Sequence, residues 1–316
     1  MRYIGHDEPW RIWRAALTGE RMHHAWLLSG RKGVGKGPFA LAAARELVGG
    51  PATGEHPDII VLSHLPKDDK EAAKRDEGKP FETKRNITID QIRAMQRRLT
   101  TRPTLGERRV IIIDPADDME ANASNALLKS LEEPPVGTFF LLIAHRIGRL
   151  LPTIRSRCCV LRFPLVEAAE IDKILQREMP KVDPKTRAAA IAAAAGSPGA
   201  ALDFVGLGLG DLHDLMERLV RHGDDDFIIR GELAEAMGAR PDRQRQLAAI
   251  ELARAVVAEA MNQTDVPAIP ALAEAHNELC VLSVQAPTYN FDPGLLVMEI
   301  GSLLAALGTR REPAHG

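Results

Sequence analysis

The sequence predicts an α/β phosphate-binding domain followed by an all-helical region. Three observations carry this. Apolar runs of strand length occur only in the first half, a glycine loop follows the first of them, and from Leu165 onward only helical patterns remain.

The first run, Ala25-Trp26-Leu27-Leu28-Ser29, ends in Gly30-Arg31-Lys32-Gly33-Val34-Gly35-Lys36, and Phe39 to Leu47 then has helical composition. Strand, glycine loop and helix therefore follow in that order. Ile59 to Leu62, Val110 to Ile113 and Phe139 to Ile143 are three more runs without polar alternation. Such runs, separated by helical segments, predict strands buried on both faces of a parallel sheet. Between the second and third, Lys67 to Lys84 carries ten charged residues among its first thirteen, which predicts an exposed, flexible insertion. Ile89, Ile92, Met95 and Leu99 then form the apolar stripe of a helix.

Beyond Leu165, Asp183-Pro184 reads as an N-cap with proline at the first helical position, opening a helix that stops at Gly196. Gly206, Gly208 and Gly210 mark a break. Helical patterns follow near 211–222, 226–237, 242–262, 271–286 and 293–307.

With 316 residues the chain has room for two or three domains at roughly 150 residues each. The 41 Lys and Arg balance 43 Asp and Glu, so a basic nucleic-acid coat is excluded and any DNA contact must be local. Cys158, Cys159 and Cys280 are too few for a disulfide framework or a four-thiolate zinc site. No 18-residue apolar run is present, and the first 25 residues carry Asp, Glu and Arg where a signal peptide needs an apolar core. A cytoplasmic chain with no membrane contact is expected.

Gly30, Gly33, Gly35 and Lys36 satisfy G-x-x-x-x-G-K, in which backbone N–H groups at a helix N-terminus cradle phosphates and the lysine reaches the terminal ones. The next residue, which would ligate magnesium through a hydroxyl, is Gly37. Asp114 emerges at the end of the third run, where an open α/β sheet presents ligands; it is either the metal-side aspartate or an ordinary strand-end polar residue. The neighbouring position, where a glutamate would polarise the attacking water, is Pro115, which cannot act as a base.

Three segments carry a family resemblance: His24 to Gly30, Asn125-Ala-Leu-Leu-Lys-Ser-Leu-Glu-Glu-Pro-Pro135, and Thr153-Ile154-Arg155-Ser156-Arg157-Cys158. Together they are similar to the clamp-loader subunits of bacterial DNA polymerase III, within the AAA+ superfamily, and most of all to the delta-prime branch. The resemblance covers 20–205 well and the remainder mainly through Tyr289 to Pro293. It implies an AAA+ P-loop domain with a parallel sheet over 1–165, a small helical lid over 166–207 and an all-helical collar over 208–316.

In that family the arginine of Ser-Arg-Cys resembles an arginine finger acting in trans on a neighbour's ATP site, and here it is Arg157. Read without the family, Arg157 is a surface salt-bridge residue. The departures are as informative. The sensor threonine position reads Ala144-His145, the lid arginine position lies in Gly196 to Leu202 at Gly199, and the cysteine-rich zinc module between Leu47 and Ile59 is missing.

The resemblance thus implies a non-hydrolysing subunit of the DNA-directed DNA polymerase holoenzyme with no required cofactor, no zinc and at most weak ATP or ADP binding. Its implied partners are gamma/tau-type and delta-type subunits, with the sliding clamp reached indirectly and primed DNA through the assembly. A gamma/tau-like ATP-hydrolysing motor is the alternative, and it requires Thr or Ser at 37, Glu at 115 and Arg at 199. An unrelated P-loop enzyme such as a small-molecule kinase is disfavoured by the helical tail and the Ser-Arg-Cys motif.

Six arginines lie between Arg93 and Arg109 against the single acid Glu107, and five lie between His145 and Arg162 with no acid. Arg93 and Arg97, four apart on one helix, can track phosphates without reading sequence; a solvated face or a subunit contact accounts for them equally well. Ten scattered histidines show no metal-ligand spacing, and no metal site is expected.

Overall fold

In the computed structural model, which describes residues 6–19, 22–50, 54–79, 81–263, 268–286 and 291–309, the chain divides into two compact units, 1–165 and 166–316. The first holds five strands: β1 (Ala25–Ser29), β2 (Ile59–Leu62), β3 (Arg109–Ile113), β4 (Thr138–Ala144) and β5 (Cys159–Arg162). They form one parallel sheet in the order β2-β3-β4-β1-β5.

Alternate residues along the central strands face opposite layers, as strand geometry requires. Ala25, Leu27, Ile111, Ile113, Phe140 and Leu142 pack with Ile92, Met95 and Leu99 of α4 (Ile89–Leu99) and Leu127 and Leu131 of α5 (Ala121–Glu132). Trp26, Leu28, Val110, Ile112, Leu141 and Ile143 face α1 (Asp7–Thr18) and α2 (Lys36–Val48). All three tryptophans lie in this second layer. Trp13 meets Trp26 and Phe39 edge-on at centroid distances of 5.5 and 6.4 Å, and Trp10 lies 4.3 Å from Phe39.

Several elements of this unit depart from the sequence expectations: α1 has no counterpart in them, and β2, expected to be buried on both faces, is an edge strand in which only Ile60 is buried. β5 is the other edge strand; only Leu161 is buried, and its apolar run is only Val160 and Leu161. The segment expected to be a flexible insertion is folded, which corrects that reading. It holds α3 (Asp69–Asp76), capped by Asp68 accepting from the Glu71 N–H, and is closed by an antiparallel bridge between Pro66 and Thr83. Its charges are consumed internally: Glu71 accepts from Lys74 at 2.7 Å and from the Glu82 N–H at 2.7 Å, and Lys67 pairs with Glu82 at 2.7 Å.

In the first unit α6 (Pro152–Arg155) precedes β5; the second unit is helical, from α7 (Ala168–Glu178) to α14 (Pro293–Thr309). Asp183, Ser197 and Asp242 cap α8 (Pro184–Ala194), α9 (Pro198–Gly206) and α12 (Arg243–Asn262), each accepting a backbone N–H three residues on. One hydrophobic cluster runs through the whole unit, from Val166 and Leu175 through Phe204, Leu209 and Leu219 to Leu304. The Gly206 to Gly210 break is a short turn between α9 and α10 (Gly210–His222), with Leu209 buried. Of Tyr289 to Pro293, residues 289 and 290 lie outside the described residues. No helix among the described residues is long and apolar enough to cross a membrane.

Candidate functional site

The parallel arrangement puts the C-terminal ends of β1, β3 and β4 side by side, and the loops that leave them meet there. Gly30 to Lys36 leave β1, with Gly33 at φ 80° and Gly35 at φ 106°, conformations open to glycine without strain. Gly30 has a separate reason to be glycine: a Cβ there would fall 2.5 Å from the Phe163 carbonyl oxygen. Lys36 opens α2, and its ammonium donates to the carbonyls of Gly30 at 2.6 Å and Arg31 at 2.7 Å. Burial pulls its pKa down to about 8, although Asp114 and Asp117 act to raise it.

Asp114 follows β3, and burial raises its carboxyl above the ordinary value against the pull of Lys36. His145 follows β4. Burial first, and the Lys36 charge second, take its pKa down to about 4, and its Nδ1 is buried with no hydrogen-bond partner. Asp117 fixes the His145 turn by accepting from the N–H groups of His145 and Arg146, both at 2.9 Å. The structure therefore brings Gly30, Gly33, Gly35, Lys36 and Asp114 into one cluster and adds His145 and Asp117.

His6, which no sequence pattern singles out, enters the same cluster. Its Nε2 donates to the Val34 carbonyl at 2.5 Å, and a Cβ at Gly35 would lie 2.8 Å from that nitrogen. The donors fit a phosphate loop: amides at the start of α2 and a lysine. They do not fit a magnesium site, because Gly37 supplies no oxygen and a Cβ there would already meet Asp114 Oδ2 at 3.2 Å. Among the described residues, no group of three or more His, Cys, Asp or Glu side chains is placed to hold a metal ion.

Arg157 is not in this cluster. It lies just before β5, and His24 lies just before β1, so both sit at the N-terminal end of the sheet. A five-residue strand spans about 17 Å, and that length separates Arg157 from the chain's own phosphate loop. Arg157 Nη2 donates to Glu132 Oε1 at 2.5 Å, and Nη1 donates to the Thr153 carbonyl at 2.8 Å. The pair borders an open cleft of about 490 Å³ lined by His23, His24, Leu131, Glu132, Ser156 and Arg157.

Arg93 and Arg97 are exposed on α4, with Arg93 3.8 Å from Asp90. Other arginines of the two basic runs are committed to structure. Arg109 is buried and donates to the carbonyls of Arg98, Thr101 and Arg102, while pairing with Asp58 at 3.7 Å. Arg146 and Arg149 pair with Asp118, at 3.7 and 3.4 Å. The second run carries no acid of its own, and the segment after β3 supplies one.

The family described as DNA polymerase III, delta subunit, matches residues 5–167. The chain is 33% identical over 252 residues to the delta′ subunit of DNA polymerase III from Pseudomonas aeruginosa, covering 74% of this chain and 72% of that one. The matched stretch is 49% and 56% of the length of two further delta′ relatives. A gamma/tau subunit from Mycobacterium bovis is 30% identical over 244 residues, 75% of this chain but 42% of its own length. Among solved structures, a DNA polymerase III gamma subunit-related protein from Thermotoga maritima shares the fold, with a TM-score of 0.55, 18% identity, and coverage of 97% of this chain and 100% of that one.

Proposed function

Because the chain belongs to the DNA polymerase III delta-subunit family, we propose that it is the non-hydrolysing, delta-prime-type subunit of a bacterial clamp loader, lending Arg157 to the ATP site of a neighbouring subunit. The carrying observation is the separation of Arg157 from Lys36 by the length of the sheet. A guanidinium at that end does not reach its own chain's loop, so a phosphate it meets belongs to a second molecule, where its planar fork would neutralise charge developing on the transferred group.

The phosphate-loop cluster supports the non-hydrolysing half of the reading. Gly37 lacks the metal-side hydroxyl, Pro115 lacks a carboxylate, and the sensor position carries His145, kept neutral by burial and by Lys36. Weak metal-independent binding of ATP or ADP fits the loop, with no cofactor required. The gamma/tau-like motor reading needs Ser or Thr at 37, Glu at 115 and Arg at 199, where this chain has Gly37, Pro115 and Gly199. The partners proposed are gamma/tau-type and delta-type subunits, with the sliding clamp and primed DNA engaged through the assembly at the cytoplasmic replisome.

The test is Arg157→Ala in the reconstituted loader. Assembly should persist, while single-turnover hydrolysis at the adjacent site falls by up to about 10³-fold. Arg157→Lys should rescue poorly, since an ammonium keeps the charge and loses the fork. Wild-type hydrolysis and clamp loading by Arg157→Ala would overturn the trans role.

A further inference from the structure

The arginine assigned to a neighbour's phosphate is held by this chain's own carboxylate, and the arrangement around the pair is built. His24, the residue entering β1, donates from Nε2 to the Leu131 carbonyl at 2.8 Å. That carbonyl lies in the last turn of α5, where backbone acceptors have no partner within the helix. The contact fixes the end of α5, and therefore Glu132, beside the entry to β5, where Arg157 sits.

Glu132 is the last residue of α5 and is followed by Glu133, Pro134 and Pro135. A carboxylate at a helix C-terminus lies at the negative end of the helix dipole, so this position disfavours an anion unless a cation attends it. Arg157 attends it. One terminal nitrogen goes to Glu132 and the other to the Thr153 carbonyl, so both arms of the fork are engaged on this chain through one N–H each. The side chains are 34% and 48% exposed, and the cleft beside them is open. Pairs this exposed are weak and exchangeable, whereas a guanidinium on a phosphate in a water-excluded interface makes two charge-assisted bonds.

We propose that Glu132 is a positioning residue for Arg157: it parks the guanidinium on this subunit and yields it when a nucleoside triphosphate held by the neighbouring subunit brings its terminal phosphate into the cleft. Arg157 then has two partners, and the neighbour's phosphate must outcompete Glu132 to take the finger. This inference rests on the trans role of Arg157 proposed above.

The experiment uses the reconstituted loader with wild type, Glu132→Gln, Glu132→Asp, Arg157→Ala and the double variant Glu132→Gln/Arg157→Ala, measuring ATP hydrolysis with and without primed DNA. Releasing an exposed pair should raise the DNA-free rate by up to about fivefold and lower the DNA stimulation ratio by the same factor. Glu132→Asp, which keeps the charge and loses the reach, should behave like Glu132→Gln. In the Arg157→Ala background the Glu132 change should have no effect, an epistasis that a general loosening of the fold would not produce. If Arg157→Ala alone leaves hydrolysis unchanged, the trans role itself fails. If Arg157→Ala lowers hydrolysis but both Glu132 variants keep wild-type rates and stimulation, parking is wrong. If they lower the rate as Arg157→Ala does, Glu132 aims the finger productively, and parking is equally overturned.

Discussion

Asp114 and Gly37 face each other across the mouth of the phosphate loop, with the carboxylate Oδ2 3.2 Å from where a side chain at Gly37 would begin. The position that would place a magnesium-ligating hydroxyl beside that aspartate carries no side chain. The chain should therefore show no ATP turnover approaching the ~1 s⁻¹ of competent enzymes. Gly37→Thr should not create one, because Pro115 and His145 remain. Steady-state phosphate release, compared with Lys36→Ala, decides this. Turnover that vanished in Lys36→Ala would promote the motor-subunit reading.

His145 gives the first unit an acid sensitivity of defined sign. Its folded pKa of about 4 lies below the ordinary 6.5, because burial and the Lys36 charge disfavour the imidazolium. Between those values the unfolded chain binds more protons, so stability rises with pH across the window and is lost as pH falls through it. Two and a half units correspond to about 3 kcal/mol. Asp114, with its carboxyl raised, acts in the opposite sense above pH 3.8 and trims the effect at the acid end. Urea unfolding of wild type and His145→Asn should diverge from pH 7 down to pH 4.5, with wild type losing more. Parallel curves would mean that His145 is solvated.

Lys36 works the same way higher up, since a lysine at about 8 instead of 10.5 makes stability rise from pH 8. Cys158, whose thiol burial pushes up to about 12 from 9.0, makes stability fall above pH 9. The Lys36 signal is therefore clean only between pH 8 and 9. Lys36→Met should flatten the wild-type rise across that interval in pH-dependent unfolding.

Arg109 should be the most costly arginine to lose. It holds the end of α4 and the following loop through three carbonyls and faces Asp58, which is fully buried and accepts from the N–H groups of Thr104 and Leu105. Arg109→Leu leaves that carboxylate buried without its cation, which costs about 3–5 kcal/mol. Denaturant midpoints measure it, and a loss under ~1 kcal/mol would show that Asp58 is satisfied by the two amides alone.

What was legible in the sequence was the continuous apolar run, at the centre of the sheet and at the β2 edge alike. β1, β3 and β4 are apolar apart from Ser29, Arg109 and Thr138 at their ends because helices cover both faces, and the glycine loop carries its own spacing. β5 escapes because, unlike the other edge strand β2, its apolar run is only Val160 and Leu161, and α1 because its buried face reduces to Pro9, Trp10 and Trp13. Composition alone misreads 67–84, since charges that pair with one another look the same in sequence as charges that face water. Arg157 is legible through its motif, but Glu132 is not tied to it by any local spacing, because the two are 25 residues apart and meet only when β1 and β5 pair.

The two exposed arginines of α4 provide the test of local DNA contact. With a net charge of −2, the chain offers no general attraction for a duplex, so a contact must come from a few side chains. Arg109 is buried and Arg146 and Arg149 are paired with Asp118; of the arginines left exposed in the two runs, Arg93 and Arg97 lie four apart on one helix and are the pair to test. Arg93 is only loosely engaged by Asp90 at 3.8 Å, a separation that a phosphate can displace. If both meet phosphates, each contributes one released counterion, and binding falls with salt accordingly. Arg93→Ala/Arg97→Ala in the assembled loader should then weaken primed-DNA binding to the same degree across sequences. It should also reduce the slope of log affinity against log salt by about 2. Thermal unfolding should be unchanged, because neither side chain is buried. An unaltered slope would assign this face to solvent or to a subunit contact.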